Sequence, residues 1–223
     1  MLAQDLISES IPSVTPGDIG SKVLTMMEIY RVSHLPVVAG NEYMGGISDK
    51  VLFDAEDFDK PIGDYISERL LQAHVHASQH IFEVVGVVVA LGVSVVPVLA
   101  DDHSYMGAIS RNDLSVNLAG LFSATEPGGI IVLEMTESNY SLSQIAQIIE
   151  GNEARILSLY TSKPSRHTTE LNVTIKVNKV DLSGIIQTFM RYDYFIKGTY
   201  LDQTKLNNLY DERYDQFLRY LNI

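Results

Sequence analysis

The sequence predicts a mixed α/β (α+β) protein in two parts: a tandem pair of βαββα units, then a domain of βαββαβ order with a helix after it. Three observations carry that prediction. Leu35-Pro36-Val37-Val38 and Tyr43-Met44-Gly45-Gly46-Ile47-Ser48 recur as Val96-Pro97-Val98-Leu99 and Tyr105-Met106-Gly107-Ala108-Ile109-Ser110, 61 to 62 residues later. The composition changes at Ser123-Ala124-Thr125-Glu126-Pro127-Gly128-Gly129, a run of turn formers that marks a boundary. Beyond it, Leu171, Val173, Ile175 and Val177 alternate with Asn172, Thr174 and Lys176, as a half-exposed antiparallel strand does. The expected domains are the repeat pair at 1–122 (about 6–60 and 61–122), the second domain at 128–200 and the helix at 201–223.

In the first copy, Val14-Thr15-Pro16-Gly17-Asp18 reads as a turn after an extended piece, 20–31 as a helix and 35–38 as a strand. Gly40-Asn41 and its counterpart Asp101-Asp102 read as hairpin turns into the Tyr-Met-Gly strands, with helices at 51–53 and 114–121 after them. The alignment also decides how to read 81–100, an apolar run of nearly membrane-spanning length. Its first half falls on 23–31, which is amphipathic and carries Glu28 and Arg31. Equivalent units fold alike, so a buried helix plus a strand is expected, and no membrane span.

Hydrophobic content of 46% with 20% charged residues describes a globular chain with a core. The net charge of −12 and the lack of a Lys/Arg run exclude nucleic acid and anionic membrane as main partners. The absence of cysteine excludes disulfides, thiolate metal sites and cysteine nucleophiles. Residues 1–9 have neither the basic head nor the apolar core of a signal peptide, so a cytoplasmic location is expected. No enzyme motif is visible: there is no Gly-rich phosphate loop, no Gly-x-Ser-x-Gly turn and no His-Glu-x-x-His helix, and no catalytic residue is assigned.

The stretch Gly107-Ala108-Ile109-Ser110-Arg111-Asn112-Asp113 pairs a hydroxyl with a carboxylate three residues on. A vicinal sugar diol needs that mixture of donor and acceptors. The same spacing also suits a serine that caps a helix, with Asp113 favourably placed near the helix's positive end.

A helix, an apolar-Pro-Val strand, a turn and Gly-x-Ile-Ser-x-x-Asp-Leu resemble the CBS domain, here as a tandem pair over about 6–121. The resemblance implies a cleft that binds adenosine-containing ligands such as AMP, ATP or S-adenosylmethionine. It implies Ser110 and Asp113 on the ribose, reached through Ala108 and Ile109. Val32, Ser33 and His34, just before Pro36, would face the same ligand, joined by Ser13, Pro16 and Ser94. In the first copy Val51 stands where the acid belongs, so Ser48 and Ile47 mark a second, weaker cleft. Relatives that bind phosphates often carry Arg or His where this chain has Ser94 and Val95. His34 and Arg111 are the nearby candidates for positive charge, and AMP is expected ahead of ATP, as a regulatory ligand and not a required cofactor.

His74, His76 and His80 lie close together, and an extended segment would put His74 and His76 on one face. Solvated linker histidines account for them; a divalent metal, with Asp101, Asp102 or His103 as further ligands, is the other reading, and no metal ligand is assigned.

In the second domain, 130–135 reads as a strand, and Leu142, Ile145, Ala146 and Ile149 as a helix stopping at Gly151. A strand is expected at 154–160, a helix capped by Asp181 and carrying Leu182, Ile185, Ile186, Phe189 and Met190, and a last strand at 194–200. The order is that of ferredoxin-like domains. With Ser141-Leu142-Ser143-Gln144-Ile145-Ala146 opening the first helix, it resembles an ACT domain, a module that senses amino acids. Asn139 and Tyr140 hold the places of that family's Pro-Gly effector turn, so dimerisation is the expected role. A CBS pair followed by an ACT-like domain resembles the acetoin-utilisation-protein-like group. Leu206, Leu209, Tyr210, Tyr214, Phe217, Leu218 and Leu221 give an apolar stripe on a terminal helix.

The reading is a non-catalytic regulatory protein that senses an adenosine-containing ligand, acting as a homodimer on an unidentified partner. The alternative is an assembly protein that needs no ligand, using both domain types for dimerisation and partner capture. A divalent metal sensor stands third.

Overall fold

The computed structural model describes residues 1–54, 58–65, 70–165 and 168–201. The fold is mixed α/β, and the chain divides into two compact units, Met1–Leu118 and Ala119–Ile223. Among the described residues no helix is long and apolar enough to cross a membrane. The apolar run at 81–100 becomes an 11-residue helix and a fully buried strand.

In the first unit, α1 (Gly20–Tyr30), β1 (His34–Ala39), β2 (Glu42–Ser48) and α2 (Asp49–Phe53) build one copy of the repeat. The other consists of β3 (Val75–His76), α3 (Ile81–Leu91), β4 (Val95–Leu99), β5 (Tyr105–Ser110) and α4 (Arg111–Leu121). The hairpins β1–β2 and β4–β5 are antiparallel, and each is bulged at the same place in the repeat, after Val37 and after Val98. An extended piece runs parallel to the first strand of each hairpin, Val14 beside Val37 and Val75 beside Val98.

Each copy is completed by the segment that precedes the other in the chain. Ala3 and Leu6, from a short 3₁₀ turn, are buried with Val75, Ile81, Val96 and Ile109 of the second copy. Ile62 is buried with Val23, Leu35, Ile47 and Leu52 of the first, and Leu70 packs beside it. The repeat's glycines make this exchange possible. At Gly45 (φ 140°) a Cβ would sit 2.6 Å from Leu70 Cβ, and at Gly107 (φ 154°) 2.5 Å from Ile7 Cγ2. The Ser8 N–H donates to the Ala108 carbonyl at 2.9 Å, and the Gly63 N–H to the Pro16 carbonyl at 2.7 Å.

The copies meet at equivalent residues. Tyr43 and Tyr105 stack with ring centroids 6.5 Å apart. The Tyr43 hydroxyl donates to the Ala73 carbonyl at 2.8 Å, and burial pushes the Tyr105 phenol up to about 12.

In the second unit, β6 (Gly129–Thr136), α5 (Leu142–Gly151), β7 (Ile156–Ser162), β8 (Glu170–Val177), α6 (Ser183–Arg191) and β9 (Phe195–Tyr200) follow the expected order. The strands form one antiparallel sheet in the order β7-β8-β6-β9. Ile131, Leu133, Val173 and Ile175 pack against Ile145, Ile149, Ile185 and Phe189 of the two helices. Two local expectations shift. The strand expected from 154 begins at Ile156, because the chain turns at Glu153 (φ 57°) and Ala154 is buried in the core. Asp181 is not the cap residue of α6; Leu182 takes that position, while Asp181 Oδ1 accepts from the Ser183 N–H at 3.1 Å and its hydroxyl at 2.6 Å. The apolar stripe expected at 206–221 lies outside the described residues.

Candidate functional site

A cavity of about 500 Å³ opens in the first unit, within the size range of small-molecule pockets. Its acidic wall comes from the β5–α4 junction. Ser110 is 5% exposed, and its hydroxyl donates to Asp113 Oδ2 at 2.7 Å while accepting from the Asp113 N–H at 3.0 Å. The serine therefore both caps α4 and holds the carboxylate in one orientation. A sugar diol would be accepted by Oδ1.

The end of α1 also contributes to the cavity, which Tyr30, Arg31 and Val32 line. Arg31 terminates the helix in the left-handed conformation, at φ 53° and ψ 44°. Gly92 takes that position in the second copy, at φ 66°. A side chain there costs about 1–2 kcal/mol relative to right-handed backbone, so the first copy carries a guanidinium at a strained position where the second carries the easy residue. Arg111 lines the same cavity. Two guanidiniums beside a lone carboxylate give this spot a local positive balance, on a chain whose net charge is −12.

Ser94 completes the junction. Its hydroxyl accepts from the Ser33 N–H at 2.9 Å, and its own N–H donates to His34 Nδ1 at 3.3 Å. A backbone N–H can only donate, so Nδ1 is an acceptor and the ring's proton sits on Nε2. Burial pushes the His34 pKa below the usual histidine value and Arg111 adds to that, while Asp49 pulls the other way.

Of the residues expected from the sequence, Ser110, Asp113, Ser94 and Val32 line the cavity together. Ser33 and His34 sit behind it, bonded to Ser94. Ile109 is buried in the core of the second copy and Ala108 is fully buried, and neither is among the lining residues. Ser13 and Pro16 are not among the lining residues; Ser10 and Ile11 are, because the exchanged N-terminal segment runs beside β5. Asn112 and Ser115 of α4 also line it. The Arg31–Gly92 mismatch in the repeat was the available sequence signal for Arg31. At the second cleft, Ile47 is fully buried and Ser48 caps α2, accepting from the Val51 N–H at 3.2 Å. Val51 brings no carboxylate to it.

The histidines are stacked edge to face: His74 and His76 with ring centroids 5.7 Å apart, His76 and His103 at 5.3 Å. Among the described residues no group of three or more His, Asp or Glu side chains is placed to hold a metal ion.

No curated protein matches the chain. Among solved structures, a CBS domain pair/ACT domain protein from Thermotoga maritima is similar at 20% identity, over 54% of this chain and 98% of its own, with a TM-score of 0.48. A putative acetoin utilization protein from Vibrio cholerae is similar at 20% identity, over 57% and 98%, with a TM-score of 0.47. A CBS-domain protein solved in complex with AMP is 17% identical over 53% and 96%, with a TM-score of 0.46. Residues 3–56, the first copy of the repeat together with the exchanged N-terminal segment, match the family model of the CBS domain.

Proposed function

We propose that this chain is a non-catalytic regulatory protein whose first unit takes an adenosine-containing ligand, AMP ahead of ATP or S-adenosylmethionine, in the cavity beside Asp113. One observation carries the reading: a preset Ser110–Asp113 pair lines a cavity of about 500 Å³ together with Arg31 and Arg111. The pair suits a ribose diol and the guanidiniums suit one phosphate. The CBS-domain match over 3–56 supports the same ligand class. Binding would change the contacts between the two copies through Ser94 and so bias the geometry of a homodimer. The second unit, ACT-like in its order of elements, serves dimerisation and transmission to a regulated protein.

Thermal unfolding of wild type and Asp113→Ala with AMP, ADP, ATP, S-adenosylmethionine and NADH tests this. A ligand at about a hundredfold over its dissociation constant stabilises by about 2.7 kcal/mol. Stabilisation of wild type that Asp113→Ala abolishes supports the sensor and names the ligand. A transition that none of them moves refutes it and favours the assembly protein.

A further inference from the structure

Only one face of the sheet in the second unit belongs to its core. Ile131, Leu133, Val173 and Ile175 pack against the helices, so Ile130, Val132, Thr174 and Lys176, which alternate with them, lie on the other face. An apolar groove of about 400 Å³ runs along it, lined by Ile130, Tyr160 and Thr174 together with Phe122 and Ala124. The far end of the same face is polar, where Lys197 Nζ donates to Glu134 Oε2 at 2.6 Å and to Asn172 Oδ1 at 3.1 Å.

The groove already takes one piece of chain. Phe122 meets Tyr160 edge to face with ring centroids 5.5 Å apart. The Ser158 hydroxyl donates to the Phe122 carbonyl at 2.9 Å, and Lys176 Nζ to the Ala124 carbonyl at 3.3 Å. Phe122 still keeps 38% of its surface and Tyr160 45%, so a second segment can lie beside them.

We propose that residues 206–221 of this chain are that segment, lying as a helix along the groove. At 3.6 residues per turn, Leu206, Tyr210, Phe217 and Leu221 share one side, and Asn208, Glu212, Asp215 and Arg219 share the opposite one. The apolar side covers the sheet and the polar side faces water. Arg213 falls at the margin of the stripe, where its stem covers apolar surface and its guanidinium reaches solvent.

Three observations select this occupant. Tyr200 pairs with Ile130, so the chain leaves the sheet at the groove's own end. Residues 202–205 make a connection of ordinary length, and a helix over 206–221 reaches about 24 Å, enough to cross four strands spaced about 4.8 Å apart. A tethered segment also meets the groove at about millimolar effective concentration, which a free partner does not match. The consequence concerns the linker. Phe122 directly follows α4, whose first turn carries Asp113, and a helix seated beside it clamps that linker to the sheet.

The chain has no cysteine, so an introduced thiol reports alone. In full-length Thr174→Cys the thiol should react with an aromatic disulfide about tenfold or more slowly than in Thr174→Cys/Tyr210→Asp/Phe217→Asp, because the groove must open first. Glu150→Cys, exposed on α5, should react alike with and without the two aspartates, which shows that the fold is kept. Thr174→Cys/Tyr214→Cys, with one thiol on a central strand and one at the middle of the stripe, should oxidise within a single chain. Equal Thr174→Cys rates in the two backgrounds overturn the proposal. A disulfide that joins two chains also overturns it, and gives the groove to a second copy. No nucleotide is involved, so failure here leaves the reading of the cavity beside Asp113 standing.

Discussion

The backbone N–H of Ser33 donates to the hydroxyl of Ser94 at 2.9 Å, so the two copies of the repeat touch through the same residue of each. Beside that contact lies the acidic wall of the cavity, since the Arg111 N–H donates to the Ser94 carbonyl at 2.9 Å. A change at the cavity and a change between the copies are therefore one local event.

Ser110→Ala should lower stability by about 1 kcal/mol, the usual cost of losing a helix cap. The urea midpoint should fall with the slope unchanged. Asp113 loses its orienting partner in the same variant, so any nucleotide-induced thermal shift should shrink as well.

Arg31→Gly should act in opposite directions on stability and binding. Removing the side chain from left-handed backbone relieves about 1–2 kcal/mol, so the unfolding midpoint should rise. The cavity loses one of its two guanidiniums, and AMP should bind more weakly while adenosine, which has no phosphate, is little affected. Isothermal titration with both ligands reads this, and equal losses for the two would refute a phosphate role for Arg31.

His34 should make the fold sensitive to mild acid. Its pKa is lowered in the folded chain, so between that value and the unfolded value of about 6.5 the unfolded state binds more protons. Stability should therefore rise with pH through this window and be lost as pH falls below about 6.5. His34→Asn keeps an acceptor near the Ser94 N–H without the titration. Urea midpoints at acid and neutral pH should lie closer together in that variant than in wild type.

Gly107→Ala should destabilise by about 1–3 kcal/mol, because the new methyl would fall 2.5 Å from Ile7 Cγ2 and the backbone sits at φ 154°. Ile7→Ala should recover part of that loss, and the two changes should be non-additive in chemical denaturation.

Much of the fold was legible because both copies carry the same punctuation. Leu35-Pro36-Val37-Val38 and Val96-Pro97-Val98-Leu99 became β1 and β4, with a bulge at matching places. The Ser110–Asp113 pair could also be read, since its geometry is local to one helix start. The exchange of Ala3 and Leu6 for Ile62 and Leu70 could not, because short apolar turns carry no mark of which core they enter. That gap moved the cavity wall from Ser13 and Pro16 to Ser10 and Ile11. The capping of α6 was misplaced by one residue for a local reason: the Asp181 carboxylate reaches past Leu182 and accepts from the N–H and hydroxyl of Ser183, the first residue of the helix.

The exchange of N-terminal segments also has a consequence for synthesis. A nascent chain that has emerged through α2 exposes an apolar slot beside Gly45, filled only when Ile62 and Leu70 follow. Ala3 and Leu6, made first, wait until Leu114 has been made before their core is complete. Contacts so far apart in sequence slow folding. The first copy can therefore close once Leu70 has been made, whereas the second must wait for Leu114, about halfway along the chain.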